Sequence, residues 1–286
     1  MIKNLIITIV IFLFSLLIGF LASEPGALIA GLPNLIAMAI VVFAIQWLAF
    51  IPAFIFQTEK FYDLIGSITY LTAVIIGILT ADQLDLRSII IASAIGIWAL
   101  RLGSFLFIRV FQDGGDGRFD KIKPSFHRFL LTWTIQGLWV FLTAACALAA
   151  LGNSGKVELG IVGIIGISIW ALGFAIEVIS DAQKRKFRAN PDKTTPFITT
   201  GLWANSRHPN YFGEIVLWIG IAVAALPTLS GLQYITLISP IFVYLLLTKV
   251  SGIPLLEQRS DERWSDNEAY IKYRDSTPVL FPKLKA

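Results

Sequence analysis

Eight apolar runs, separated by short polar or Gly/Pro-containing stretches, set the pattern of this chain. They fall at about 4–22, 34–56, 64–81, 88–111, 127–150, 158–181, 210–227 and 233–250. None shows the alternation of apolar and polar positions that a membrane barrel strand requires; the runs are apolar all round and rich in Leu, Ile and Ala. A helix needs roughly 20 residues to cross ~30 Å of hydrocarbon, and a spanning segment must satisfy its own backbone polar groups. The pattern therefore predicts an all-α fold, a polytopic transmembrane helical bundle of about seven to eight helices. The first run, behind a short basic start, also has the form of a secretory signal, but its length is that of a span.

The polar stretches are unequal, and their charges give the bundle a direction. Segments 82–87, 151–157 and 228–232 are short, whereas 112–126, 182–209 and 251–286 are long. Of the 23 Lys and Arg residues, only Arg87 and Lys156 fall on the side of the short loops, and Arg101 falls within the fourth span; Lys3, Lys60, Lys193 and the others share the opposite side. Positive residues stay inside, so both termini and the three long segments are expected in the cytoplasm. No internal repeat is visible, and the expectation is a single membrane domain over 1–286.

Composition supports the same class. Hydrophobic residues make up 56% and charged residues 15%, outside the usage of soluble domains. The net charge of +4 follows from loop placement, and basic residues scattered over short loops give no nucleic-acid footprint. Cys146 is the one cysteine, which excludes an intramolecular disulfide and any thiolate-held metal or iron–sulfur centre; no metal is expected.

Ionisable and amide side chains inside spans are costly and mark candidate sites. Gln57, Glu59, Tyr62 and Asp63 join the second and third runs, Arg101 and Arg109 lie in the fourth, Gln136 in the fifth, Glu177 and Asp181 in the sixth and Glu214 in the seventh. All sit toward the basic side, where they can converge on one cavity. Structural readings stand beside this one. Lys60, Arg128 and Lys249 fit headgroup contact, and Glu177 with Asp181, one turn apart, fits pairing with Arg101 or Arg185. Gln136 fits an interhelical hydrogen bond, and His127 an interfacial anchor.

The most polar stretch against a span is "NSRHPNYFGE", 205–214, preceded by "EVISDAQKRKFRANPDK". Pro209 suits the first turn of a helix, and a helix start with free N–H groups favours anions. With Lys184, Arg185, Arg188 and Arg207 near in sequence, phosphates are the natural ligand.

The run "SDxQKxxFRxNP…GLWxxSRHPNYFGE" with its Tyr270, Tyr273 and Pro282 tail resembles the steroid 5α-reductase family, most of all its bacterial DUF1295-type branch. It is more distantly similar to sterol C14 and C24 reductases and to isoprenylcysteine or phospholipid methyltransferases. The resemblance spans about 97–282. It implies an NADPH pocket lined by Arg101, Arg109, Asp181, Arg185, Arg188, Asn210, Tyr211, Glu214 and Tyr270, with Arg207 and His208 at its mouth. Arg118 is a further candidate with Arg101 and Arg109, and Glu257, Arg259 and Arg263 are weaker matches. It further implies that residues 1–150 form the substrate side and 177–286 the cofactor half. The substrate would be a steroid or isoprenoid-like lipid whose enone oxygen Gln57 and Glu59 grip, with Tyr62 as acid. One departure is clear: the family's proton-donating tyrosine falls on Trp98, which moves that role to Tyr62, Tyr70 or Glu59.

The reaction so implied is NADPH-dependent reduction of an activated C=C bond, with enolate stabilisation by the protein. The expected setting is the bacterial inner membrane or its equivalent, with a cytoplasm-facing site in a monomer. The alternative is an S-adenosylmethionine-dependent methyltransferase of prenyl-cysteine or phospholipid, although a cofactor without phosphates has less use for arginines 101, 109, 118, 185 and 188. A third is a lipid-binding scaffold without chemistry.

Overall fold

The computed structural model describes residues 1–153, 155, 157–191 and 194–283. Lys156 and Lys193, both used in the topology, lie outside the described residues. The ten α-helices among them are α1 (Ile2–Ala22), α2 (Asn34–Ile55), α3 (Tyr62–Leu79), α4 (Leu86–Gln112), α5 (Phe126–Leu151), α6 (Gly160–Ala189), α7 (Pro209–Ala225), α8 (Ile238–Leu245), α9 (Gly252–Trp264) and α10 (Glu268–Ser276). A two-residue antiparallel ribbon, β1 (Leu28–Ile29) with β2 (Leu32–Pro33), is the one sheet described. Among the described residues, eight helical segments are long and apolar enough to cross a membrane. The last is composite: Gly231–Trp264 strings a 3-10 segment, α8, a π-type stretch at Leu246–Val250 and α9. The all-α polytopic bundle predicted from the apolar runs is the observed fold, and the protein is an integral multi-pass membrane protein.

The chain packs as two compact units, Met1–Ile164 with Ala222–Ser239, and Ile165–Ile221 with Pro240–Ala286. In the first unit α5 is the axis, its second half, Val140–Leu151, buried throughout. The run "AACALAAL" explains this: small side chains let α1, α2 and α3 approach its backbone, the usual basis of helix association in lipid. Ile6, Ile9, Val10, Leu13 and Leu17 on α1 remain exposed as a lipid-facing surface. Amides and hydroxyls tie the helices together: Gln46 Nε2 donates to Thr69 Oγ1 (2.8 Å), Trp47 Nε1 to Thr134 Oγ1 (3.0 Å) and Gln136 Nε2 to the Tyr62 carbonyl (2.9 Å). Gln136 is thus an interhelical donor.

Arg87 closes the opposite end of this unit. It is 2% exposed, and its guanidinium donates to the carbonyls of Ala224 (2.7 Å), Leu159 (2.8 Å) and Glu158. The residue that stood out as a stray positive charge gathers the end of α7, the start of α6 and the start of α4. Asp85 works beside it, accepting from Ser88 N (2.7 Å) to cap α4 and from Val157 N (2.9 Å).

In the second unit α6 and α7 touch backbone to backbone. A Cβ on Gly213 would lie 2.6 Å from Glu177 N and 2.6 Å from Gly173 O; one on Gly220 would lie 2.4 Å from Trp170 N and 2.7 Å from Gly166 O. Each helix contributes two glycines seven residues apart, so one strip of glycine runs along the contact. That contact sets Glu177 against the first turns of α7, and α6 continues past it as the basic extension through Arg188.

Candidate functional site at the start of α7

The segment 205–208 is held in place by chain from both sides of the sequence. Arg207 N donates to Pro278 O (2.9 Å), Ser206 Oγ to Leu280 O (2.8 Å) and Lys283 N to Asn205 O (3.0 Å), so the tail runs along the motif. On the α6 side, Trp203 Nε1 donates to Ser180 O (3.0 Å), Leu202 N to Gln183 Oε1 (2.9 Å), and the Lys184 ammonium lies 4.4 Å from the Trp203 ring centre. Tyr273 completes the frame by donating to Trp203 O (2.7 Å) and stacking on Phe197.

Within this frame Glu257, from α9, bridges two adjacent motif residues. One carboxylate oxygen meets Arg207 Nη2 at 2.9 Å and the other meets His208 Nε2 at 2.7 Å. The Tyr211 ring stacks on His208, 5.7 Å between centroids at 11°. Burial pushes the His208 imidazole below its ordinary pKa, outweighing the pull of Glu257, so the ring is neutral at pH 7.

The bridge leaves polar atoms over. Arg207 Nε and Nη1 and His208 Nδ1 are shielded from solvent and have no hydrogen-bond partner among the described residues. Asn210, half-buried in the first turn of α7, uses its amide in no hydrogen bond among the described residues. Buried groups of this kind are ordinarily satisfied, so such atoms mark where a ligand or water belongs. Glu177, Asp181 and Glu214 are all buried in the same unit, while Arg185 and Arg188 are exposed on the α6 extension. Donors for a polar head, an acceptor, and guanidinium groups for phosphates fit a dinucleotide cofactor.

Tyr270 has a different occupation from the one implied. Its hydroxyl donates to Asp261 Oδ1 (2.8 Å), its ring packs on Phe197 and Trp264, and burial with that bond pushes it up to about 12. It anchors α10 to α9.

The remaining candidates lie in the first unit. Gln57, exposed and at φ 50°, turns its amide back to cap α2, donating to Phe54 O (2.7 Å). Glu59 is buried and accepts from Lys123 Nζ (2.9 Å) and Asp116 N (3.0 Å). Burial would raise its pKa, but those bonds hold it below the usual carboxylate range. Asp116 in turn pairs with Arg118, Nε donating at 2.7 Å. Glu59, Asp116 and Lys123, with Asp113, Asp120 and the glycines at 114, 115 and 117, line a 290 Å³ pocket. Tyr62 donates to Thr132 O (3.0 Å) between Phe119 and Trp133. Arg109 lies near Asp116, and the half-buried Arg101 sits over Phe105 at 5.2 Å. Trp98 is buried, with Tyr70 edge-on to it at 5.1 Å. Sequence reasoning left the Glu257 bridge as a weak match and did not see the Lys123–Glu59 clamp; no short-range spacing announces either.

These features define a multi-pass helical membrane protein with a built polar site at the start of a spanning helix. The chain belongs to the family described as Protein of unknown function (DUF1295), whose model matches residues 49–277. It is similar to an uncharacterized protein of Schizosaccharomyces pombe, 27% identical over 184 residues, 57% of this chain and 51% of that one. A Delta(14)-sterol reductase of Neurospora crassa is 33% identical over 94 residues, 28% of this chain and 19% of the reductase. A probable O-methyltransferase of Ustilaginoidea virens is 28% identical over 146 residues, 51% of this chain and 47% of that protein. The chain thus spans about half the length of these relatives or less. No solved structure matches.

Proposed function

We propose that this protein is an NADPH-dependent membrane reductase that reduces an enone C=C bond in a steroid-like or isoprenoid-like lipid. The observation that carries the reading is the start of α7, where Arg207 and His208 keep buried polar atoms without partners in the same unit as the exposed Arg185 and Arg188. Arg207, His208, Asn210 and Tyr211 would hold the cofactor's polar groups, and Arg185 and Arg188 its phosphates. The bound cofactor would supply hydride. An apolar substrate accounts for a site in a membrane bundle, and the positive-inside pattern puts that site at the cytoplasmic face. Within the first unit the acid is assigned to Tyr70. The resemblance puts that role at Trp98, Tyr70 is the hydroxyl-bearing ring packed against it, and the Tyr62 hydroxyl is engaged with Thr132 O.

The methyltransferase reading keeps one specific support: the probable O-methyltransferase aligns over 51% of this chain, the sterol reductase over 28%. Purified protein in detergent separates the two. Stabilisation against heat by NADPH, well beyond that by S-adenosylmethionine, is the expected result; stabilisation by S-adenosylmethionine alone would overturn the reductase reading. Tyr70→Phe should then slow enone reduction while leaving NADPH stabilisation intact.

A further inference from the structure

We infer that Glu257 is a positioning residue that fixes the tautomer of His208, and that the resulting acceptor at His208 Nδ1, paired with donors on Arg207, recognises an amide-like or amidine-like edge of the ligand rather than a phosphate. The inference rests on the nucleotide reading above and assigns which part of the nucleotide meets the motif.

The reasoning is an inventory of donors and acceptors. Glu257 gives one oxygen to Arg207 Nη2 at 2.9 Å and the other to His208 Nε2 at 2.7 Å. A carboxylate in that bridge only accepts, so Nε2 carries the ring proton. The ring is neutral because burial lowers its pKa, which leaves Nδ1 as a bare acceptor. That atom is shielded and unpartnered, and the His208 side chain is 6% exposed. Arg207 Nε and Nη1, also shielded and unpartnered, are donors only. Arg207 and His208 are adjacent and grip one carboxylate, so the pair together keeps an acceptor and donors to offer a ligand.

A phosphate oxygen accepts and cannot satisfy Nδ1. An H₂N–C=N edge, as in adenine, or an H₂N–C=O edge, as in a carboxamide, presents a donor and an acceptor side by side and satisfies both. Phosphates are left to Arg185 and Arg188.

Two measurements test the inference in the full chain. The chain has 2 histidines, so ¹⁵N-histidine NMR with His127→Gln to assign the second signal reports the His208 tautomer directly. The expected result is the Nε2–H form in the wild type and tautomer exchange in Glu257→Ala; Nδ1–H in the wild type would overturn the inference whatever ligand binds. The second compares the affinity of NADP⁺ with that of its hypoxanthine analogue and its nicotinic acid analogue. Hypoxanthine puts an acceptor in place of the adenine amine, and nicotinic acid puts a carboxylate in place of the carboxamide. A loss of at least tenfold for one of them, removed by Glu257→Ala, identifies the edge. Binding of all three with equal affinity would overturn the inference while leaving the reductase reading standing. Should S-adenosylmethionine bind and NADP⁺ not, the reductase reading fails, and the same comparison made between adenosine and inosine decides the inference.

Discussion

Gly213→Ala tests whether the α6–α7 contact builds the site. The added methyl would sit 2.6 Å from Glu177 N and 2.6 Å from Gly173 O. Ordinary contact begins near 3.4 Å, so the helices must part by about 0.8 Å there. Neither neighbour is the free end of a side chain, and the glycine strip continues to Gly220, where a Cβ would find Trp170 N at 2.4 Å. Overpacking of this kind costs roughly 1–3 kcal/mol, and more where backbone must yield; the better helix propensity of Ala returns up to about 1 kcal/mol. The expected net loss is about 1–3 kcal/mol, a fall of roughly 2–5 °C in Tm for a chain of this length. Thermal unfolding in detergent reads it, with Gly96→Ala on α4 as the comparison, since a Cβ there meets only Leu71 Cδ2 at 3.9 Å. The parting also moves Glu177 relative to the turn bearing Asn210 and Glu214, so nucleotide affinity should fall with Tm. A Gly213→Ala protein as stable as Gly96→Ala, with unchanged nucleotide binding, would refute the reasoning.

Arg87→Met should be among the most damaging single changes, because it strands three carbonyls that the guanidinium now serves. A loss of roughly 3–5 kcal/mol is expected by thermal unfolding, and one under about 1 kcal/mol would show those carbonyls satisfied otherwise. Glu59→Gln should free the 113–125 loop, read as faster limited proteolysis there, since Lys123 loses the buried one of its two carboxylates and keeps the exposed Asp120. The pH sign agrees. The folded pKa of Glu59 lies below the ordinary value, so its contribution is complete above the usual carboxylate range and is lost as pH falls through the folded value. Wild-type loop protection should therefore collapse on acidification, whereas the Gln variant should start unprotected and change little. His208 adds a second acid step. Its folded pKa lies below the ordinary imidazole value, so stability is full above that value and declines as pH drops beneath it; His208→Gln should flatten the decline.

The spans were legible because their signal is local and one-dimensional: a run of apolar residues long enough to cross hydrocarbon reads the same in the sequence and in the helix. The motif at 205–214 was legible for a similar reason, its proline, histidine and arginine lying in one short stretch before a span. Partnerships between distant residues were not. Glu59 and Tyr62 read as chemical groups because an acid and a phenol at a span end are costly, yet Lys123 and the Thr132 carbonyl, 64 and 70 residues on, are their partners. Arg87 read as a stray charge because its partners are carbonyls, which every residue has and no sequence pattern marks.

The same limit explains what became of "RHP". A helix start with Arg207 before it and Lys184, Arg185 and Arg188 near in sequence suggests an anion site, and charge counting alone assigns Arg207 to phosphate. Charge is additive along a sequence, whereas hydrogen-bond polarity depends on what the other side of each group is doing. Glu257, 49 residues beyond His208, takes one donor from each residue. It offsets the charge of Arg207 and, in the proposed tautomer, leaves His208 with an acceptor. Arg185 and Arg188, exposed on α6 and without such a bridge among the described residues, are the groups proposed above for the cofactor's phosphates.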